Sequence, residues 1–347
     1  MLASVVFLVL LLALRLWWGW EAHRRLQAEI DRIIAAGEPI YPADFAPKDH
    51  VADNENAATQ YLRAGSRLAY PAFRAIYEFP DDPGAWHDRR DEVQVLLQDH
   101  GMALVEVRAA RQLGKADWHI IYASPVIDTL LPTLSEQCAL SKLLCIAVRH
   151  EHTNGKDSNT TATILDALSH LGTMEKHPFL VVHMQVCRSA IRLGWTIESV
   201  APSLAISTDS GSSITVSSAS DVRAIIADLL DEKASEDALV HGMLEERMAQ
   251  LDTVHHVLRG SRSVAQLLET FNNLRKHWGP VESRLFSPAI AREGVVLIRE
   301  ASSMVEASRQ RTYPAAQEML PVSAARNTDP WYVDAHLACP QFMYQPL

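Results

Sequence analysis

The first twenty residues, MLASVVFLVLLLALRLWWGW, carry one charge, Arg15, and close on Trp17, Trp18 and Trp20. About 20 apolar helical residues span a hydrocarbon core, so this pattern predicts a transmembrane helix. From Glu21 to Ala36 the pattern changes to amphipathic. Leu26, Ile30, Ile33 and Ile34 recur at helical spacing among charged neighbours. Gly37 suits the position just past a helix end, and Pro39 forbids simple continuation. A Pro-rich connector follows. The next helix has Asp53 or Asn54 as its expected cap and Ala57, Ala58, Tyr61 and Leu62 on one side. Asp81 or Asp82, followed by Pro83, reads as a further helix start.

The central stretch is helical. Leu134 to His152 is apolar nearly all round, which marks a buried helix. Asn154-Gly155 breaks it. Asp157 or Ser158 is placed to cap a helix whose inner face is Ile164, Leu165, Leu168 and Leu171. His177-Pro178 breaks again before a helix from Phe179 to Leu193. Short breaks imply antiparallel neighbours. Ser203 to Ser220 is rich in small polar residues. It reads as a surface loop or a weak hairpin pairing Leu204–Ile206 with Ile214–Val216. Helices are expected beyond it at 221–232, 235–258, 264–277 and 288–312.

These patterns divide the chain into an anchor at 1–20, a juxtamembrane helix and connector at 21–52, and a helical-hairpin domain at 53–202. A Ser/Thr-rich loop or hairpin at 203–220, a second helical segment at 221–320 and an aromatic, proline-rich tail at 321–347 complete it. The expected fold is all-α: an N-terminal transmembrane helix, then irregular antiparallel helical hairpins in a bundle or short solenoid, with one small β-hairpin possible near 203–217.

Two readings compete for the opening stretch. A cleaved secretion signal needs small residues before the cut, and Leu14 to Trp20 is bulky, which favours a retained anchor. A buried soluble helix would rarely carry three flanking tryptophans, residues that suit the membrane interface. Arg15 lies near one end, where its stem lets the guanidinium reach headgroups. Arg15, Arg24 and Arg25 by the positive-inside tendency place the body in the cytoplasm. Glu21 and Glu29 accompany them, so the side stays open.

Composition narrows the function classes. Hydrophobic residues are 48% and charged residues 21% of 347, which excludes disorder of the whole chain. The net charge is −10 with no long basic run, so no nucleic-acid partner is expected. Of the four cysteines, Cys138 and Cys145 would stand about 10.5 Å apart on one helix. That is too far for a disulfide, so buried structural thiols are expected.

The order of the anchor, RRLQAEIDRIIAAGEPIYPADF, a spacer and NENAATQYLRA resembles a loose class of uncharacterised bacterial proteins with one N-terminal membrane helix and a helical extracytoplasmic body. Gly37, Pro39, Asp44, Phe45, Asn56, Ala57 and Ala58 carry the likeness. The run from Leu140 to Ile191 looks like the central helical hairpins of that class. The hairpin pattern is also similar to tetratricopeptide-like arrays, without a clean 34-residue period. The resemblance implies a membrane-tethered helical protein and brings no catalytic residue.

Fifteen histidines invite a search for a metal site. Asp237, His241, Glu245, Asp252 and His256 fall on one arc of a helix, residue types that bind divalent metals. Leu239, Val240, Met243, Leu251, Val254 and Leu258 lie opposite, so the stripe is expected to face water as an ion-paired surface. His150 and His152 point about 200° apart on a helix and would share an ion only if the helix frayed at Thr153. Asp166 and His170, at i and i+4, are spaced as an orienting pair. No H-E-x-x-H, G-x-S-x-G, Walker or G-x-G-x-x-G motif occurs, and no cofactor is expected.

The leading expectation is a single-pass cell-membrane protein serving as an interaction or scaffold module. Its partners would be the lipid bilayer, through residues 1–20, and another protein. The alternatives are a membrane-bound metal-dependent hydrolase using dispersed His, Asp and Glu, and a helical binder of an apolar ligand.

Overall fold

The structure, a computed structural model, describes residues 2–45, 51–68, 72–80, 89–123, 125–129, 131, 133–177, 179–207, 216–259, 287–310 and 315. The helix expected at 264–277, the cap expected at Asp81 or Asp82, the tail at 321–347 and Cys339 lie outside these residues. The fold is all-α. Its helices are α1 (Leu2–Ala35), α2 (Ala57–Ser66), α3 (Ala72–Glu78), α4 (Arg90–Asp99), α5 (Gly101–Arg111), α6 (Leu134–Thr153), α7 (Asp157–Glu175), α8 (Leu180–Val200), α9 (Ala219–Leu229), α10 (Glu232–Leu258) and α11 (Ser287–Ser308).

The chain gathers into two compact units. One comprises Met1–Ala46, Tyr122–Thr129 and Met243–Leu347; the other comprises Pro47–Ile121 and Leu130–Gly242. The division therefore falls inside the continuous helix α10, and the described residues of 203–220 belong wholly to the second unit. Composition carries no linker signature at this point, because α10 is continuous through it.

In the first unit α1 is one helix of 34 residues. Its first half is apolar and exposed; Leu8, Leu10, Leu16, Trp17 and Trp20 are each at least 60% accessible. It is the one helix among the described residues long and apolar enough to cross a membrane. Its second half is buried on one side. Ala22, Leu26, Ile30 and Ile33 pack with Leu251 and Val254 of α10 and with Ala291, Val295 and Ile298 of α11. Each leucine, isoleucine or valine side chain there contributes about 1.5–3 kcal/mol when fully buried. Gly37 ends the helix as expected. At φ +73° it adopts the left-handed cap, its N–H donating to the Ile34 carbonyl at 2.9 Å and that of Glu38 to Ile33 at 3.3 Å.

The second unit is built around α6. Residues 137–149 are buried without interruption, as a helix apolar on every side requires. α6 packs against α2, α3, α4, α7 and α8. Its C-terminus closes at Gly155, φ +69°. Gln137, Ser141 and Lys142, buried polar groups of α6, find partners, as the cost of unsatisfied ones demands. Gln137 donates to the Tyr61 carbonyl at 3.0 Å, and its side-chain oxygen meets His170 Nε2 at 2.9 Å. Ser141 Oγ lies 3.2 Å from His170 Nδ1. Lys142 donates to the carbonyls of Tyr77 and Phe79, covering the end of α3.

Three local expectations change. The cap of α2 is Asn56, not Asp53 or Asn54. Its Oδ1 accepts from Ala58 N at 3.1 Å and from Asp117 N at 2.9 Å, and its Nδ2 donates to the Asp117 carbonyl at 2.7 Å. Asn56 wins because it is fully buried and ties two segments at once. Replacing Asn56 with Ala should therefore cost about 2–4 kcal/mol, the lost cap plus two stranded backbone groups. Urea unfolding of the detergent-solubilised chain reads it, and a loss under about 0.5 kcal/mol, the size of a neutral surface change, would contradict the assignment. The strand pair near 203–217 is real but is not a hairpin. Ile206–Ser207 pair with Ser217–Ser218 in parallel register. Asp157, at the start of α7, fixes this loop by accepting from Ala205 N at 2.7 Å. Cys187 is exposed, whereas Cys138 and Cys145 are buried; all three are free thiols.

Candidate functional site

The sequence-predicted metal ligands are not brought together. His150 and His152 diverge at the end of α6. Asn154 Nδ2 donates to His150 Nε2 at 3.0 Å. His152 instead meets the Asp157 carboxylate at 2.7 Å and Ser203 Oγ at 2.9 Å, tying α6 to the start of α7 and the chain after α8. The α10 stripe is also divided. Asp237 and His241 are exposed, but Glu245 is 1% accessible. The segment 122–129 covers it: the Tyr122 hydroxyl donates to Glu245, and Val126 N–H donates to Asp252 at 2.8 Å. Burial pushes the Glu245 carboxyl up to about 8, against the pull of the Tyr122 hydroxyl. His256 stays 3.8 Å from Asp252, one turn away.

The stripe is thus not a water-facing ion-paired surface in its C-terminal half. That half of α10 is buried on several sides, through Leu244, Glu245, Arg247, Met248, Leu251, Val254 and Val257, while Leu239 at the other end is exposed. Among the described residues no three His, Cys, Asp or Glu side chains are placed to hold a metal ion.

Asp166 and His170 also part company. Asp166 faces Arg111 at 3.1 Å and Arg108 at 3.4 Å. Burial raises its carboxyl despite both guanidiniums. His170, fully buried against Tyr61, is driven down to about 3 by desolvation and is a neutral core histidine.

Asp166 and His150 do belong to one feature. An open groove of about 640 Å³ runs over α6 in the second unit. Leu97, Leu104, Val105, Leu144 and Ala147 supply its apolar surface, and Gln98, Arg108, Glu151, Asn159 and Thr163 add polar groups. Short helices α4 and α5 form one wall and α7 the other. Burial lowers His150, with Glu151 opposing and Lys156 assisting, so its ring is neutral at pH 7. The groove therefore combines an apolar floor with donors, acceptors and both charge signs at its rim. That composition suits recognition of a polypeptide segment.

Two constellations escaped the sequence reading. One is Tyr122 with Glu245. The other is Arg247, 1% accessible, which donates to Glu38 at 2.6 Å and to the Pro39 carbonyl at 3.3 Å. Glu38 receives Arg309 as well. Burial acts to raise Glu38, but the two arginines outweigh it and hold the carboxyl below its usual range. An arginine inside an otherwise apolar helix face was the signal available for the second. Comparison of the chain with protein families, with curated proteins and with solved structures finds no match in any of the three.

Proposed function

We propose that the protein is a single-pass, membrane-tethered helical module whose work is recognition of another polypeptide. The observation that carries this reading is the unbroken course of α1. The same helix that exposes a membrane-length apolar half buries Ala22, Leu26, Ile30 and Ile33 in a three-helix core. Cleavage by a signal peptidase requires an accessible, extended site with small residues, whereas this boundary is helical and bulky. Leu8, Leu10, Leu16 and Trp17 of the apolar half are each at least 60% accessible, and lipid is the solvent that removes their exposure cost. The groove over α6 is the surface offered to a partner, as helical-hairpin proteins commonly use such concavities.

A photo-cross-linking amino acid at Val105, in the groove, tests the recognition role in intact membranes. The reading expects a discrete adduct that the same group at Leu229, an exposed position on α9, does not give. Identical adducts from both positions would remove the groove from the account. Proteolysis of intact and of opened cells, followed with a C-terminal tag, assigns the side on which the body lies.

A further inference from the structure

Among the described residues of the first unit, α1, α10 and α11 come to one level. α11 runs parallel to α1. A Cβ at Gly19 would stand 3.6 Å from Pro288 Cγ. Further along, a Cβ at Gly294 would stand 3.6 Å from Leu26 Cδ1, Arg299 meets Glu29 at 2.6 Å and Arg309 meets Glu38. α10 runs the other way. Arg247 holds Glu38, Val254 packs at Gly294 and Leu26, and His255 shares a shallow hollow with Trp20, His23 and Leu26. The last turn of α10, up to Leu258 and Arg259, therefore finishes at the level of Trp20, and α11 begins at that same level. Trp17, Trp18 and Trp20 remain 60%, 41% and 63% accessible there.

Tryptophans at the end of an apolar span mark the boundary between hydrocarbon and headgroups. We propose that the described residues at this level, Trp20, Arg259 and Ser287–Pro288, rest in the phospholipid headgroup layer. The inference depends on the membrane reading of α1 and adds a second contact to it. The chemistry at this level is mixed. Glu21 accepts from Arg24 at 2.8 Å and from Arg25 at 2.7 Å, which offsets one of these two positive charges. His23 Nδ1 lies 2.8 Å from the Gly19 carbonyl. The tryptophans rather than charge set this level, so the surface fits a zwitterionic headgroup layer and makes no demand for anionic lipid. A seated bundle also fixes the tilt of α1, because three packed helices meet the interface together rather than one flexible stem.

The test places a nitroxide through p-acetylphenylalanine, which leaves the native cysteines alone, at Leu10, Arg259, Ser287 or Gln310 of the full chain. Each variant is reconstituted in phosphatidylcholine nanodiscs, and collisions with oxygen and with a water-soluble nickel chelate are compared. Gln310 lies about 33 Å beyond Pro288 along the helical direction and serves as the aqueous reference. The proposal expects Leu10 at hydrocarbon depth and a several-fold lower nickel collision rate at Arg259 and Ser287 than at Gln310, unchanged when phosphatidylglycerol is added. Arg259 and Ser287 as open to nickel as Gln310, with Leu10 still in hydrocarbon, would overturn the seating and leave the anchor intact. Leu10 open to nickel would overturn the anchor, and the seating with it. Protection that arises only with phosphatidylglycerol would replace the zwitterionic contact with an electrostatic one and so contradict the proposal as stated.

Discussion

Replacing Leu8 and Leu11 together with aspartate should move the protein from the carbonate-washed membrane pellet to the supernatant. The apolar positions from Val5 to Leu14 each favour insertion by about 0.3–0.6 kcal/mol, roughly 3–5 kcal/mol together, whereas two aspartates near the helix centre cost about 5–7 kcal/mol. The balance reverses sign. Neither residue touches the bundle, being 64% and 46% accessible, so the thermal melting of the body should stay the same. Replacing the same pair with alanine leaves no charge to desolvate and should keep the protein in the pellet. A double aspartate variant that still sedimented with washed membranes would mean that something other than α1 holds the chain there.

The second large effect concerns Glu38. Arg247 is buried, and Glu38 is its one carboxylate partner among the described contacts. Truncating Glu38 to Ala leaves a guanidinium in the core, and breaking a buried pair from one side costs about 3–5 kcal/mol. For a body of this size that is a fall of about 10 °C in Tm. Replacing both partners, Glu38→Leu with Arg247→Met, should restore most of the loss, because paired removal strands no charge. The same pair sets an acid limit. Glu38 ionises at lower pH in the folded chain than in the unfolded one. Its contribution is complete above the ordinary glutamate range and is lost as pH falls through the lower folded value. Wild type should therefore lose more stability on acidification than the double variant. Equal acid sensitivity, or a Glu38→Ala variant within about 0.5 kcal/mol of wild type, the scale of a neutral surface change, would contradict the assignment.

Local rules made much of the helical framework legible. α6 is apolar around its whole circumference, and such a run has one economical placement, the centre of a bundle; it is found there from Leu134 to Thr153. Gly37 takes the left-handed cap that its position after a helical run implied, and Gly155, read as part of a helix break, takes the same conformation. Pairing across long separations was not legible. Asn56 outcompeted Asp53 and Asn54 as a cap because of what Asp117, sixty-one residues away, presents to it. The α10 stripe looked solvent-facing because the helical wheel holds no information about Tyr122–Thr129, the segment that covers it. The parallel pairing of Ile206 with Ser217 likewise follows from Asp157 holding Ala205, not from any turn signal between the strands. At the groove, His150 was noticed for its neighbour His152, yet the residues that line the groove with it include Arg108 of α5 and Asp166 of α7.

The central claim is that the apolar opening and the three-helix core are parts of one retained helix. Intact mass measurement of the chain recovered from carbonate-washed membranes tests this most directly. The account predicts a membrane-bound product whose mass includes residues 2–20. A chain that begins after Trp20 and leaves the membrane with the carbonate supernatant would contradict it.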